Sequence, residues 1–302
     1  MSDRPSRWIG AVLPLIVLAG LELWLRSGAI VSDTLAPPSA IAAALATGLA
    51  DGSVLRATGQ TLAGAFGGLL MGGVLGMLAG ILFAVVPLID RAMEVTVEAL
   101  RPIPSVALLP VALMVFGFGY GMEFAIVGKS CFFLMLILTR AAVRGVEPRL
   151  REVARALRLS RSATVGKIIL PAILPRLFVA FRLAASLALV ISITIEIAVN
   201  PQGLGYGIMT AQQALRPDLM LAYFFWIGFI GLALNALLLA AQGKLFGRAA
   251  LAEVLGSVPA EADSPGLLRA CGAVLAYAAA NVGPLGMVRR LQAYAPGTAL
   301  RL

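Results

Sequence analysis

The chain has no histidine among its 302 residues and only two cysteines, Cys131 and Cys271. Without imidazole, most metal sites and the commonest acid–base catalyst are excluded. Cys131 lies inside an apolar run, so no disulfide framework is implied. Charge is scarce as well: charged residues make up 13% of the chain, where a soluble domain carries about 25%. That is too little to cover a water-facing surface. What is abundant is apolar surface, 60% of residues with a mean hydropathy of +0.94. The solvent this implies is lipid. The net charge of +9 sits between apolar runs, so it speaks of membrane orientation and not of nucleic-acid binding.

A helix crossing the hydrocarbon needs about 20 apolar residues. Six stretches qualify: 8–25, 60–86, 103–118, 122–143, 177–199 and 219–241. Glu22 near its end and Arg26 just after it come without a small-residue cleavage site, so it reads as an anchor span and not a signal peptide. The third is interrupted by Pro102, Pro104 and Pro110. Basic residues crowd the segment from Arg140 to Arg176, whereas the loops 27–59 and 200–218 hold only Arg56 and Arg216. The positive-inside bias places both termini and the 140–176 loop in the cytoplasm. The expectation is an all-α, polytopic protein of a bacterial inner membrane, with a membrane domain over 1–250. A tail over 251–302 is expected to be cytoplasmic and poorly ordered rather than a seventh span.

Gly64, Gly68, Gly72, Gly76 and Gly80 recur every four residues in the second span and share one helix stripe. Such a stripe admits another backbone, either within the chain or from a partner subunit. Two other patterns carry no function. Gly128-Lys129-Ser130 ends like a phosphate-binding loop, but Glu123 stands where the pattern requires glycine. Gly119-Tyr120-Gly121 and Gly205-Tyr206-Gly207 only echo a potassium-channel filter. No nucleophile–base–orienter set is visible, so no catalytic residue and no metal ligand is assigned.

The segment EVARALRLSRSATVGKIILPAILPRL, from Glu152 to Leu177, is basic and amphipathic. Its helical rhythm is expected to stop at Pro171 and Pro175, just before the fifth span. Glu152, Ala154 and Leu157 are followed by Ile168, Ile169, Leu170 and Pro171. This resembles the EAA loop of permease subunits of binding-protein-dependent ABC importers, type I. Leu100-Arg101-Pro102-Ile103-Pro104, Leu108-Leu109-Pro110 and Phe116-Gly117 resemble the proline-rich third span of the nitrate/sulfonate/taurine branch. Ala36-Pro37-Pro38-Ser39 is similar to its early turn. Phe181-Arg182-Leu183-Ala184, Glu196 and Gly203-Leu204-Gly205-Tyr206 resemble its fifth span and following loop. Val153 departs from the EAA triplet, and Arg158 occupies the position of the family's turn-forming glycine.

The resemblance implies a type I importer permease fold working as a homodimer, with two ATPase subunits and an external solute-binding protein. ATP-Mg would be bound by the partner and no cofactor by this chain. The 145–176 loop would seat in the ATPase cleft, with Glu152, Ala154, Arg155, Leu157, Arg158, Ile168 and Pro171 as coupling residues. Transport of a small anion without an ATPase, by a channel or a secondary transporter, is the alternative. A third possibility is a membrane scaffold that transports nothing. Lys129, Ser192, Thr194 and Glu196 are expected on the translocation pathway. An intramembrane lysine is costly and faces a cavity or a partner. Depth along the fourth and fifth spans suggests a Lys129–Glu196 pair; the other reading makes Lys129 a transient station for an anionic solute.

Overall fold

A computed structural model describes residues 16, 19–27 and 35–256, with side chains to Phe246. Residues to Gly247 form one unit; of a second, Arg248–Leu302, only the end of the last helix is described. Most of the expected first span, 8–25, and the tail beyond Gly256 lie outside the described residues. Residues 19–26 are helical.

The described residues are helical, with no strand among them. Helix α1, Pro38–Ala50, begins with proline at a position whose N–H would be unpaired anyway. A left-handed Gly52 leads into α2, Ser53–Val85. Helix α3, Pro87–Leu100, is followed by a 3-10 turn at Ser105–Leu108 and by α4, Leu109–Phe116. Then come α5, Tyr120–Arg144; α6, Pro148–Ala156; α7, Arg161–Thr164; α8, Leu170–Ala198; α9, Gly203–Gln213; and α10, Pro217–Gly256. Among the described residues four helical stretches are long and apolar enough to cross a membrane, or five if the bent α3–α4 pair is one span.

The third expected span, 103–118, needs correcting. Helix α4 has eight residues, about 12 Å, far less than the roughly 30 Å of hydrocarbon. It reaches span length only together with α3, to which it is bent by 81°. Pro102 and Pro104 remove two backbone donors, and Pro104 is itself extended with ψ 124°, so the chain breaks between the two helices.

The expected stop at Pro171 and Pro175 needs correcting too. A π-turn at Val165–Ile169 leads from α7 directly into α8, which runs through Pro175. The wider turn ends just before Pro171, where a proline ring would crowd the carbonyl of a regular preceding turn.

The core is built around α2, α5 and α8. The glycine stripe of α2 lies on α5. A β-carbon on Gly68 would stand 2.6 Å from Cβ of Val127, and one on Gly80 2.6 Å from the Leu136 carbonyl oxygen. Gly72 and Gly76 meet the backbone at Gly128 and Phe132 in the same way, and Gly64 meets the Glu123 carboxyl. Residue numbers rise together along both helices, so α2 and α5 run parallel. Helix α8 runs antiparallel: Cys131 of α5 donates its thiol proton to the Ala184 carbonyl at 3.7 Å, while Gly145 meets Arg176. Leu69, Met122, Val127, Cys131, Ala184 and Ile195 fill the centre.

Candidate functional site

Three polar regions stand out against this apolar frame. At the end where α2 and α5 begin, Glu123 and Glu196 are both fully buried. Thr61 of α2 donates to Glu196 Oε2 at 3.0 Å and accepts from the Leu204 amide at 2.9 Å. The Gly205 amide also donates to Glu196 Oε2, at 2.9 Å. Glu123 accepts from Ser192, from Asn200 Nδ2 at 3.2 Å and from Gln202 Nε2 at 3.4 Å. Asn200 Oδ1 accepts from the Gly119 amide at 2.9 Å. Among the described residues neither carboxyl forms an ion pair. The network ties the starts of α2 and α5 to the end of α8 and to the turn into α9. That turn needs a positive φ of 85° at Gly203, whose missing side chain leaves room for the Glu196 carboxyl.

Lys129 lies elsewhere, which corrects the expected Lys129–Glu196 pair. It stands six residues beyond Glu123, about 120° round the helix, and faces the break between α3 and α4. Its Nζ donates to the Ile103 carbonyl at 2.7 Å and sits 5.9 Å from the Phe133 ring centroid. Among the described residues it has no carboxylate partner. It lines a cavity of about 430 Å³ with Arg101, Ser105 and Ser130. Ser192 belongs to the glutamate network. Thr194 is half-buried, and its hydroxyl donates back to the Val190 carbonyl at 2.7 Å. The four expected pathway residues are therefore split: Ser192 and Glu196 share one network, while Lys129 and Thr194 stand apart from it.

The opposite end carries the arginines. Asp90 of α3 is held by a two-pronged contact from Arg140, at 2.7 and 2.9 Å, and by Arg144. Carbonyls at the end of α5 lack helical partners. Arg151 covers that of Val143 at 2.8 Å, and Arg176 covers that of Gly145 at 3.0 Å. Helix α6 packs inward through buried Ala154. Its outer side exposes Glu152, Arg155, Val153 and Leu157, the last two 48% and 64% exposed. Ile168 is half-buried and Pro171 exposed on the returning helical arm of the hairpin.

Arg158 makes the turn that glycine makes in the resembled loop. Its φ is +49°, the Leu159 amide donates to the Ala154 carbonyl at 3.0 Å, and its own amide donates to Arg155 at 3.0 Å. This is a Schellman helix end with arginine in the left-handed position. The side chain of Ser160 then caps α7 through the Ala163 amide at 3.3 Å.

The sequence assigns no role to Glu123, Thr61, Asn200, Ser105 or Asp90, and Arg101 enters it only within the proline-rich motif. Glu123 carried a usable signal, since an acid inside an apolar run has to be satisfied by something nearby.

Long apolar helices, a broken span and an arginine-rich helical hairpin at one end define a polytopic membrane protein. Residues 72–251 match the family of binding-protein-dependent transport system inner membrane components, and the chain belongs to that family. It is 27% identical over 233 residues to a putative aliphatic sulfonates transport permease protein, SsuC, of Bacillus subtilis, covering 76% of this chain and 84% of that one. It is 31% identical over 199 residues to a putative ABC transporter permease protein of Methanocaldococcus jannaschii, covering 66% and 74%. It is also 28% identical to the nitrate import permease protein NrtB of Leptolyngbya laminosa, covering 56% of this chain and 61% of that one. Among solved structures, an amino acid ABC transporter chain matches with a TM-score of 0.54 at 18% identity, covering 68% and 97%. The MetNI methionine ABC transporter matches at 0.52 and 20%, covering 62% and 95%. At those identities the likeness is one of fold: the all-α fold is that of an ABC importer permease.

Proposed function

We propose that the chain is the membrane-spanning subunit of an ATP-driven importer for a small anion. It works as a homodimer, with two ATPase subunits that bind ATP-Mg and an external binding protein that delivers the solute. The arginine-rich end and the N-terminus face the cytoplasm. The glutamate network lies towards the outside, and the pathway runs between the two copies. The names of the relatives, which include aliphatic sulfonate and nitrate permeases, support an anion.

One observation carries this reading. Arg140, Arg144, Arg151 and Arg176 are engaged in contacts within the chain, whereas the hairpin turns Val153 and Leu157 outward beside Glu152 and Arg155. Apolar side chains held out by a rigid capped hairpin suit a cleft in another protein. Closure of the ATPase dimer would move the hairpin, and with it α5 and α8, as a rigid body. Leu157→Asp tests this: co-purification with the cognate ATPase should be lost, while the permease still inserts and melts at the wild-type temperature. A variant that retains full ATPase binding would overturn the assignment of the hairpin.

A further inference from the structure

We propose that the cavity at the α3–α4 break is a relay subsite for an organic oxyanion, a sulfonate or carboxylate bearing a short apolar group. The proposal rests on the importer reading and narrows its solute. Two cations line the cavity, Arg101 and Lys129, and neither has a carboxylate partner among the described residues. A lysine at this depth, about 14 Å along α5 from its first residue, is costly unless something balances it. The Ile103 carbonyl takes one of its three protons and carries no formal charge. An anion between Lys129 and Arg101 supplies the missing charge.

The hydroxyls fit the same role. Ser130 lies 2.5 Å from Ser105 Oγ and 3.2 Å from the Ile126 carbonyl. It has one proton for two acceptors. When Ser130 donates to Ser105, the Ser105 proton is free to meet an anionic oxygen. The remaining wall is apolar, with Ile137, Leu138, Leu187 and Ile191. A nitrate or bicarbonate ion has nothing to place against those side chains and would leave them facing water. An alkyl or aryl group on the anion buries them. A volume of about 430 Å³ admits such a molecule.

The test uses the full chain in nanodiscs of phosphatidylcholine, without anionic lipid, so that a headgroup phosphate does not compete. Thermal unfolding is followed with sodium ethanesulfonate, sodium nitrate and sodium chloride at equal ionic strength. Ethanesulfonate should raise the melting temperature saturably, and nitrate should do so no more than chloride. Lys129→Met and Arg101→Gln should each weaken ethanesulfonate binding about tenfold or more, the loss of one charge-assisted contact. Lys129→Arg should retain it. Leu138→Trp keeps both charges and fills the apolar wall, so it should abolish binding even if Lys129→Met does not fold. Equal shifts with nitrate and ethanesulfonate, or equal ethanesulfonate shifts in wild type and Lys129→Met, overturn the subsite. Leu157→Asp should bind ethanesulfonate as wild type does, so failure of the subsite and failure of the importer reading give different results.

Discussion

Gly72 of α2 lies against the backbone of Gly128 of α5, with no room for a β-carbon between them. Gly128, read from sequence only as part of a rejected phosphate-loop pattern, is thus the counterpart of the glycine stripe. The parallel pair α2–α5 is a backbone-to-backbone contact, which lipid cannot replace and larger side chains cannot enter.

Gly72→Ala should therefore destabilise the protein by about 2 kcal/mol or more through overpacking. Gly59→Ala, on the same helix but with open space at its β-carbon, should stabilise it by about 0.5–1 kcal/mol through helix propensity. Melting temperatures of the two variants in one detergent decide the matter. Equal signs would show that the stripe is not a contact.

The glutamate network predicts a dependence on Thr61. Thr61→Val keeps the shape but leaves the buried Leu204 amide without its acceptor, at a cost of about 1–3 kcal/mol. Thr61→Ser should recover most of it. Chemical unfolding of the three proteins measures the difference, and a Val variant as stable as wild type would contradict the network.

How much of this was legible in the sequence differs by residue. The small-residue spacing announced a close helix contact, but such a stripe does not say which backbone it meets. The 152–177 segment is legible as basic and amphipathic because charge and apolar residues alternate at helical spacing within an oily chain, but its fold into a hairpin is not. That Arg158 adopts the left-handed turn itself was not visible, because sequence shows which residue is costly there and not whether the fold accepts the cost. The Lys129–Glu196 pair failed for a geometric reason. Counting residues from a span's end gives a coarse depth and no rotation: Lys129 lies about 9 Å along α5 from Glu123, and rotation sends Lys129 towards Ile103 and Glu196 towards Thr61. Glu123 is an acid inside an apolar run, a signal that something buried must satisfy it, but the sequence does not say that Ser192, Asn200 and Gln202 do.

Arg158→Gly should strengthen the hairpin by about 1 kcal/mol, since the left-handed conformation costs a side-chain-bearing residue roughly 1–2 kcal/mol and glycine returns part of that in chain entropy. Hydrogen exchange of the Leu159 amide, which closes the turn, should slow accordingly. Unchanged or faster exchange would mean that the arginine is not strained.

Asp90 links the start of the broken span to the end of α5. Its removal leaves Arg140 only a 3.8 Å contact with Glu94, so Asp90→Ala should cost about 3 kcal/mol, at the low end of the range for breaking a buried pair. Arg144→Ala, at a side chain half in solvent, should cost under about 1 kcal/mol. Thermal unfolding of the two variants tests the order, and a costlier Arg144 change would reverse the account of that cluster.

The most direct test of the importer reading is uptake of labelled ethanesulfonate into proteoliposomes holding the permease, its ATPase and its binding protein. Uptake should occur only with ATP and should vanish with Leu157→Asp. Uptake by the permease alone, driven by an imposed ion gradient without ATPase or ATP, would contradict it and make the chain a secondary transporter.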